Sequence, residues 1–320
     1  MKIIGAGLTG MIAAYAFPRA QILEASPEPP TEHKALLRFR SEAVSTLTGV
    51  PFKKVLVRKG IFIDGEFRQP DIRLCNMYSD KVLGLIDGDR SIWNVEPVER
   101  WIAPENFISI LREDLASRIL YGMVVSDFYD DQESWISTMP LLNTLNCVHE
   151  SHLESEADVL SRAKLDLEFR RSPIEVRRYR LANVNAYQTI YFPSPTTCVY
   201  RASITGDLLI VEASRPFPDD NPFGYSNWQE EVAAAFGIAK AQLSAYLQLD
   251  SISQEYGKIV ECEDDALREH AIGELSDRFE VYSLGRFATW RNILLDDVVH
   301  DIQQIKRLMI QPPYKRRLGK

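Results

Sequence analysis

Cysteine is scarce in this 320-residue chain, and the four present (Cys75, Cys147, Cys198, Cys262) never fall in a Cys-x-x-Cys pair. That argues against a disulfide framework and fits reduced thiols. Cys262 sits among Glu261, Glu263 and Asp264, a setting that discourages a thiolate nucleophile. Cys147, His149 and His152 are three potential metal ligands in one short stretch, but no partnering cluster stands out elsewhere, so no metal site is expected. Positive charge is in deficit: 37 Lys and Arg face 45 Asp and Glu, for a net charge of −8. Phosphate backbones need clustered cations, so no nucleic-acid partner is expected. No long uncharged apolar run is present, which argues against a membrane span. The chain also lacks a Gly-x-Ser-x-Gly hydrolase elbow, an internal repeat and a low-complexity segment. Residues 2–17 have the apolarity of a short signal segment, yet carry three glycines and no basic stretch beyond Lys2; a cytoplasmic location is expected.

The remainder is ordinary for a globular protein, with 45% apolar and 26% charged residues. The length suffices for one large or two modest domains. Lys2–Ile4 reads as a strand, Gly5–Gly10 as a glycine turn and Met11–Phe17 as a helix ended by Pro18. Gln21–Leu23 reads as a second strand ending at Glu24, followed by a loop with Pro27, Pro29 and Pro30. A helix is expected over Lys34–Leu47, strands from Val55 to Cys75, and a helix over Ala103–Leu120. Val124–Phe128 and Trp135–Ser137 are short strand candidates, and the acidic run Glu150–Arg162 a solvated excursion or helix. Leu167–Val211 is rich in strand residues with a Gly206-Asp207 turn, so an antiparallel sheet is expected. Helices are expected over Asn227–Phe236, with Ser226 as N-cap, and Ala239–Leu247. The end returns to a strand over Phe279–Leu284, a Gly285-Arg286 turn and a helix over Asp296–Met309.

Lys2-Ile-Ile-Gly5-Ala-Gly7-Leu8-Thr9-Gly10 is a Gly-x-Gly-x-x-Gly motif that follows a strand and opens a helix. Gly5 permits the tight turn, Gly7 lets the backbone approach a pyrophosphate, and Gly10 lets helix and strand pack closely. The free N–H groups and the dipole at a helix start favour phosphate charge. Glu24, at the end of the second strand, is placed to take a ribose hydroxyl pair. This unit is expected to bind a dinucleotide but does not choose between FAD and NAD.

Two further segments carry a resemblance. Trp135-Ile-Ser-Thr-Met-Pro140 resembles the strand that returns to the nucleotide in UDP-galactopyranose mutase and protoporphyrinogen-oxidase-like or amine-oxidase-like flavoproteins. Leu284-Gly285-Arg286-Phe-Ala-Thr-Trp290-Arg291, followed by Leu295-Asp296-Asp297-Val298, is similar to the C-terminal flavin motif of the mutase family. The resemblance spans about a third of the chain. It implies an α/β fold: a Rossmann-type FAD-binding domain with an inserted antiparallel-sheet (α+β) substrate domain. The implied division is residues 1–60, 100–145 and 278–320 for FAD, with 61–99 and 146–277 as the substrate domain. FAD is the implied cofactor, with Gly285 and Arg286 near the flavin or its phosphates and Asp296 or Asp297 near the ribityl chain. The last helix would aim its positive end at the flavin pyrimidine edge. Trp290 is placed either near the ring or in the core.

The chain also departs from that family. Pro27, Pro29 and Pro30 stand where a second glycine-rich segment is usual, and the mutase's histidine-bearing loop is not visible. Leu36-Leu37-Arg38-Phe39-Arg40-Ser41 instead looks like the arginine-bearing helix of aromatic-hydroxylase-type flavoproteins, which places Arg38 or Arg40 at the FAD phosphates or on a solvated face. Tyr187, Tyr191, Tyr200 and Arg201 are the substrate-side candidates on the sheet. Tyr191-Phe-Pro-Ser-Pro resembles the flavin-facing strand region, and Tyr256-Gly257-Lys258 a loop brought to the isoalloxazine. Tyr191 and Lys258 are thus the candidate catalytic residues. The expected function is redox or flavin-dependent isomerase chemistry on a small molecule, such as a nucleotide sugar or an amine, with NAD(P)H one candidate electron donor. The alternatives are a non-catalytic dinucleotide-binding scaffold and an NAD(P)-dependent dehydrogenase.

Overall fold

The computed structural model describes residues 1–29, 37–84, 92–128, 133–153, 155, 157–217, 228–239, 243 and 246–310. In chain order the elements are β1 (Lys2–Ile4), α1 (Leu8–Ala16), β2 (Gln21–Glu24), β3 (Arg38–Phe39), α2 (Ala43–Thr48), β4 (Lys53–Ile63), β5 (Glu66–Arg68) and α3 (Ile72–Leu83). Then come β6 (Val98–Ile102), α4 (Phe107–Asp114), β7 (Ile119–Tyr121), β8 (Trp135–Ser137), α5 (Leu141–Asn146), α6 (Val159–Asp166), β9 (Phe169–Arg180) and β10 (Ala186–Tyr191). The remainder is β11 (Val199–Gly206), β12 (Leu208–Ala213), α7 (Trp228–Phe236), β13 (Leu247–Cys262), α8 (Asp265–Phe279), β14 (Val281–Ser283), α9 (Arg286–Thr289) and α10 (Leu295–Ile310). The chain divides into two compact units: 1–54, 100–170 and 261–320, and 55–99 with 171–260.

Unit 1 holds a five-stranded sheet in the order β14-β8-β1-β2-β7. Every pairing in it is parallel, with Ile3 opposite Ile22 on one side and Ile136 on the other. Parallel strands need crossovers, and α1 supplies the first, buried through Met11–Ala14. Its core joins Ile3, Met11, Ile12, Phe107, Leu111 and Ile302. Arg118 closes the C-terminal end of α1 by donating through Nη2 to the carbonyls of Ala14 (3.0 Å) and Phe17 (2.7 Å). Because β2 and β8 flank β1 on opposite sides, the chain direction switches at the C-terminal end of β1, where open α/β sheets form a ligand crevice.

Unit 2 orders its strands β13-β9-β12-β11-β10-β4, with β5 on β4. The registered pairs of β9 to β12 are antiparallel, while β10 and β4 are parallel. Phe62, Ile190, Ala202, Leu209 and Val211 form one apolar face with Val232 and Ala233 of α7. The α/β class is therefore as read: a parallel Rossmann-type sheet, and a separate, largely antiparallel one.

Several local expectations are corrected. Helix α1 starts at Leu8, so the turn proper is Gly5–Gly7. Where a helix was expected over Lys34–Leu47, residues 34–36 lie outside the described set, Arg38 and Phe39 form a strand paired with Ile102 and Trp101, and α2 begins only at Ala43. The strand run ends before Cys75, because Asp71 caps α3 by accepting from Leu74 N at 2.7 Å. The helix over Ala103–Leu120 stops at Asp114, and Ile119 and Leu120 pair with Ile22 and Leu23 as the edge strand β7. Val124–Phe128 is not a strand. Phe279 ends helix α8, which closes on Glu280 at φ 53°. Tyr256–Lys258 lies inside β13 rather than in a loop. Leu247 is in β13 too, while Ser226 and most of the helix expected over Ala239–Leu247 lie outside the described residues.

Candidate functional site

The three motif glycines have different reasons to be glycine. Gly5 has φ +95°, and a Cβ there would stand 2.5 Å from Thr138 Oγ1. A Cβ on Gly10 would meet the Gly5 carbonyl oxygen at 2.0 Å, so α1 could not approach the turn. Gly7 is the odd one: its φ of −68° suits any residue, and nothing lies within 4 Å of its Cβ direction. Neither backbone nor neighbour demands glycine there, which leaves a cradle that a side chain would fill. The start of α1 beside it carries no side-chain cap and no acid in its first turn. Its unpaired N–H groups and positive dipole end are thus available to an anion.

Glu24 stands over this turn. Its Oε2 accepts from Ala6 N at 2.7 Å and its Oε1 from Ser26 N at 2.9 Å. Each oxygen keeps a lone pair for a further donor such as a ribose hydroxyl. Glu24 and Gly5 line a cavity of about 470 Å³ with Met123, Val124, Met139 and Asn143. Its size and mixed lining suit an adenosine moiety. Met123 and Val124 were missed at sequence level: they lie in an irregular segment with no motif. Met139 lies in the return-strand segment Trp135–Pro140 singled out in the sequence, whereas Asn143, just beyond it, was missed.

The C-terminal motif reaches the same turn. Leu284 N donates to Ser137 O at 2.9 Å. Gly285 has φ +93°, and a Cβ on it would press 2.8 Å from Thr9 Cγ2, so the motif lies directly against the first turn of α1. Arg286 opens α9 and stacks over Phe287, 4.7 Å from the ring centre. Trp290 packs against Phe169 with centroids 4.8 Å apart and is 5% exposed, the core alternative.

Asp296 and Asp297 have structural work. Asp296 accepts from Arg40 N, Ser41 N and Ser41 Oγ, each at 2.9 Å. Asp297 accepts from Leu294 N at 2.8 Å and from Arg40 Nη2 at 2.6 Å. Arg40 is thereby tied to α10. Arg38 is half-buried in β3, and Val298 belongs to the core.

In unit 2 a polar cluster gathers on one sheet. A register shift between Val199 and Arg201 inserts Tyr200 as an extra residue. A bulge of this kind brings successive side chains to bear on one partner, and here both reach Glu212. Its carboxylate accepts from Tyr200 OH at 2.9 Å, from Arg201 Nη2 at 2.6 Å and from Arg201 Nε. Burial pushes Glu212 up, but Arg201, Lys258 and the Tyr200 hydroxyl outweigh it and hold the carboxyl down at about 2. Burial and Glu212 raise Tyr200 well above the usual tyrosine range. Lys258 Nζ lies 4.9 Å from the Tyr200 ring centre. Tyr78 links Tyr200 (6.2 Å) to Tyr191 (5.4 Å) through edge-to-face rings. Tyr191 and Lys258 therefore stand at two ends of one contact chain.

The remaining sequence candidates lead elsewhere. Cys147 Sγ donates to Val125 O and His149 Nδ1 bonds Ser151 Oγ, and no metal-holding cluster exists among the described residues. Burial raises the Cys262 thiol, as it does Cys147.

No protein-family pattern and no curated protein matches the chain. Solved structures do. A reduced UDP-galactopyranose mutase superposes with a TM-score of 0.68 at 15% identity, covering 96% of this chain and 93% of its own. An oxidoreductase from Methanosarcina mazei gives 0.58 at 12% identity, covering 96% of this chain and 100% of its own. Wild-type putrescine oxidase bound to putrescine gives 0.54 at 11% identity, covering 97% and 98%. The resemblance carried by the terminal motifs and the return strand thus extends, at the level of fold, over nearly the whole chain.

Proposed function

We propose that this chain binds FAD across the glycine turn of unit 1 and is a flavoenzyme acting on a small molecule. The observation that carries the reading is Gly7, a glycine required by no neighbour and no backbone angle, beside an uncapped helix start. The donor set fits the group: free N–H groups of α1 for the pyrophosphate, Glu24 for the ribose, and the cavity beside it for the adenine. FAD rather than NAD is supported by the return of β8 and β14 to the sheet after long excursions, and by Gly285 against Thr9.

Bound FAD supplies the hydride or electron chemistry. The chain's residues would position the partners. Arg286 would stand near the flavin or its phosphates. Unit 1 is proposed as the cofactor unit and unit 2 as the substrate unit. Tyr191 would contact substrate, and Lys258 would place a positive charge where negative charge accumulates. Two proteins of the same fold are a mutase and an oxidase by name, which leaves isomerase and redox chemistry both in view. NAD(P)H is the proposed electron donor. Four free cysteines, three of them buried, support a reducing, cytoplasmic location; no helix among the described residues is long and apolar enough to cross a membrane.

The test is an equilibrium titration of apoprotein with FAD, followed by flavin fluorescence, in wild type, G7V and R286A. The proposal expects saturable binding in wild type and a loss of at least about tenfold, or 1.4 kcal/mol, in each variant. Equal affinity in G7V would refute the phosphate cradle, and equal affinity in R286A the C-terminal motif.

A further inference from the structure

The connection between β10 and β11, residues 192–198, contains Pro193 and Pro195. Proline gives no N–H and interrupts a ladder, so strand pairing stops at the ends of this stretch, where Phe192 N donates to Tyr200 O (2.9 Å) and Ser214 N to Cys198 O (3.0 Å). Between those ends, carbonyls are collected by side-chain cations. Lys81, in the last turn of α3, donates from Nζ to Phe192 O (2.7 Å), Ser194 O (2.6 Å) and Val199 O (2.5 Å). Arg215, just after β12, donates from Nη2 to Pro195 O at 2.8 Å. The three carbonyls use all three protons of an ammonium. A neutral amine has two, and would leave one carbonyl without its donor.

We propose that the Lys81 ammonium pins the 192–199 connection to α3, and that loss of its proton loosens the pin, which makes this connection a proton-sensitive element between Tyr191 and Tyr200. The inference depends on the fold of unit 2 and not on the FAD reading. Both tyrosines immediately flank the pinned segment, so its order sets where they stand.

A cavity of about 280 Å³ lined by Met77, Asp80, Lys81, Pro195, Ser214 and Arg215 gives the amine a route to water. The titratable groups facing it are Glu231 from α7, Cys198 from the connection, Arg215 from the segment after β12 and Asp80 from α3 itself, and burial pushes the Cys198 thiol up to about 11, so it stays neutral near pH 7. Burial lowers Lys81 to about 7, against the pull of Glu231 and Cys198 and with the push of Arg215. Burial raises Glu231, and its hydrogen bond with Thr197 opposes that. The pin is therefore charged below neutrality and loses charge as pH rises through it.

The experiment is amide hydrogen exchange of the peptide covering 192–200 in the purified full chain, from about pH 6 to about pH 8.5, corrected for the intrinsic pH dependence of exchange. Wild type should lose at least about tenfold protection in this peptide as pH rises, while the β1–α1 peptide stays constant. K81M should be unprotected at both ends of the range. E231Q should move the wild-type midpoint to lower pH, because the carboxylate that favours the ammonium is gone. Wild-type protection that does not change with pH overturns the proposal, and so does an unmoved midpoint in E231Q. The wild-type series decides the matter even if K81M fails to fold.

Discussion

Gly7 and Gly10 sit three residues apart in one motif and should behave oppositely when changed. At Gly10 an added methyl meets a backbone oxygen at 2.0 Å, so G10A should lose roughly 3 kcal/mol or fail to fold. At Gly7 there is open space and an ordinary φ, so G7V should unfold within about 1 kcal/mol of wild type while losing FAD. Thermal unfolding of the two apoproteins checks the contrast; equal destabilisation would mean that Gly7 serves the fold. Much of this was legible in the sequence, because a glycine turn and a terminal acid are short-range devices: spacing alone put Gly5, Gly7, Gly10 and Glu24 in one place. The Ala6 N bond to Glu24 was not legible, since nothing in the spacing says that the carboxylate leans back onto the turn. Nor was Tyr200 as a bulge residue, whose signal is a register and not a composition.

Elements fared according to how local their causes are. Strands β1, β2 and β8 and helix α10 were read from pattern one by one, and Leu167–Val211 as one antiparallel sheet region; the structure has the former and places β9 to β12 in the latter. The segment around Arg38–Ser41 was read as helix because its residues allow one. Its partners decide otherwise: β6 lies some sixty residues on, and Asp296 takes the N–H groups of Arg40 and Ser41 across a separation of 256 and 255 residues. Helix α8 passed unread, although Asp264 caps it at Leu267 N with a 2.8 Å bond. It packs against both α6 and β14, so no single apolar stripe announces it. The Asp296 clamp gives a prediction at this scale. D296A strips an acceptor from two backbone N–H groups and a hydroxyl, and should cost roughly 2–3 kcal/mol in thermal unfolding. D296N, which retains one acceptor oxygen, should recover part of the loss. No change in either variant would deny that the clamp holds 40–41 to α10.

The whole molecule couples charge to stability through Glu212. Its carboxyl is held at about 2 in the fold, below the unfolded value of about 4.3. The sign follows: the stabilisation is complete above the unfolded value and drains away as pH falls from about 4 towards 2. E212Q leaves Arg201 without its carboxylate and should cost about 3–5 kcal/mol near neutrality, with a flatter acid limb in a pH series of unfolding midpoints. An acid limb identical to wild type would contradict the pairing. The division into a parallel sheet and a separate, largely antiparallel sheet was visible in the order of strand and helix patterns. The reaction was not, because chemistry depends on which side chains the two sheets finally present, and those positions are set by tertiary contacts. The central claim is FAD itself. A visible absorption spectrum of the purified chain, before and after denaturation, tests it most directly. The account predicts flavin bands that bleach on dithionite and a chromophore released as FAD in about one equivalent. A colourless protein that takes up no added FAD would contradict it.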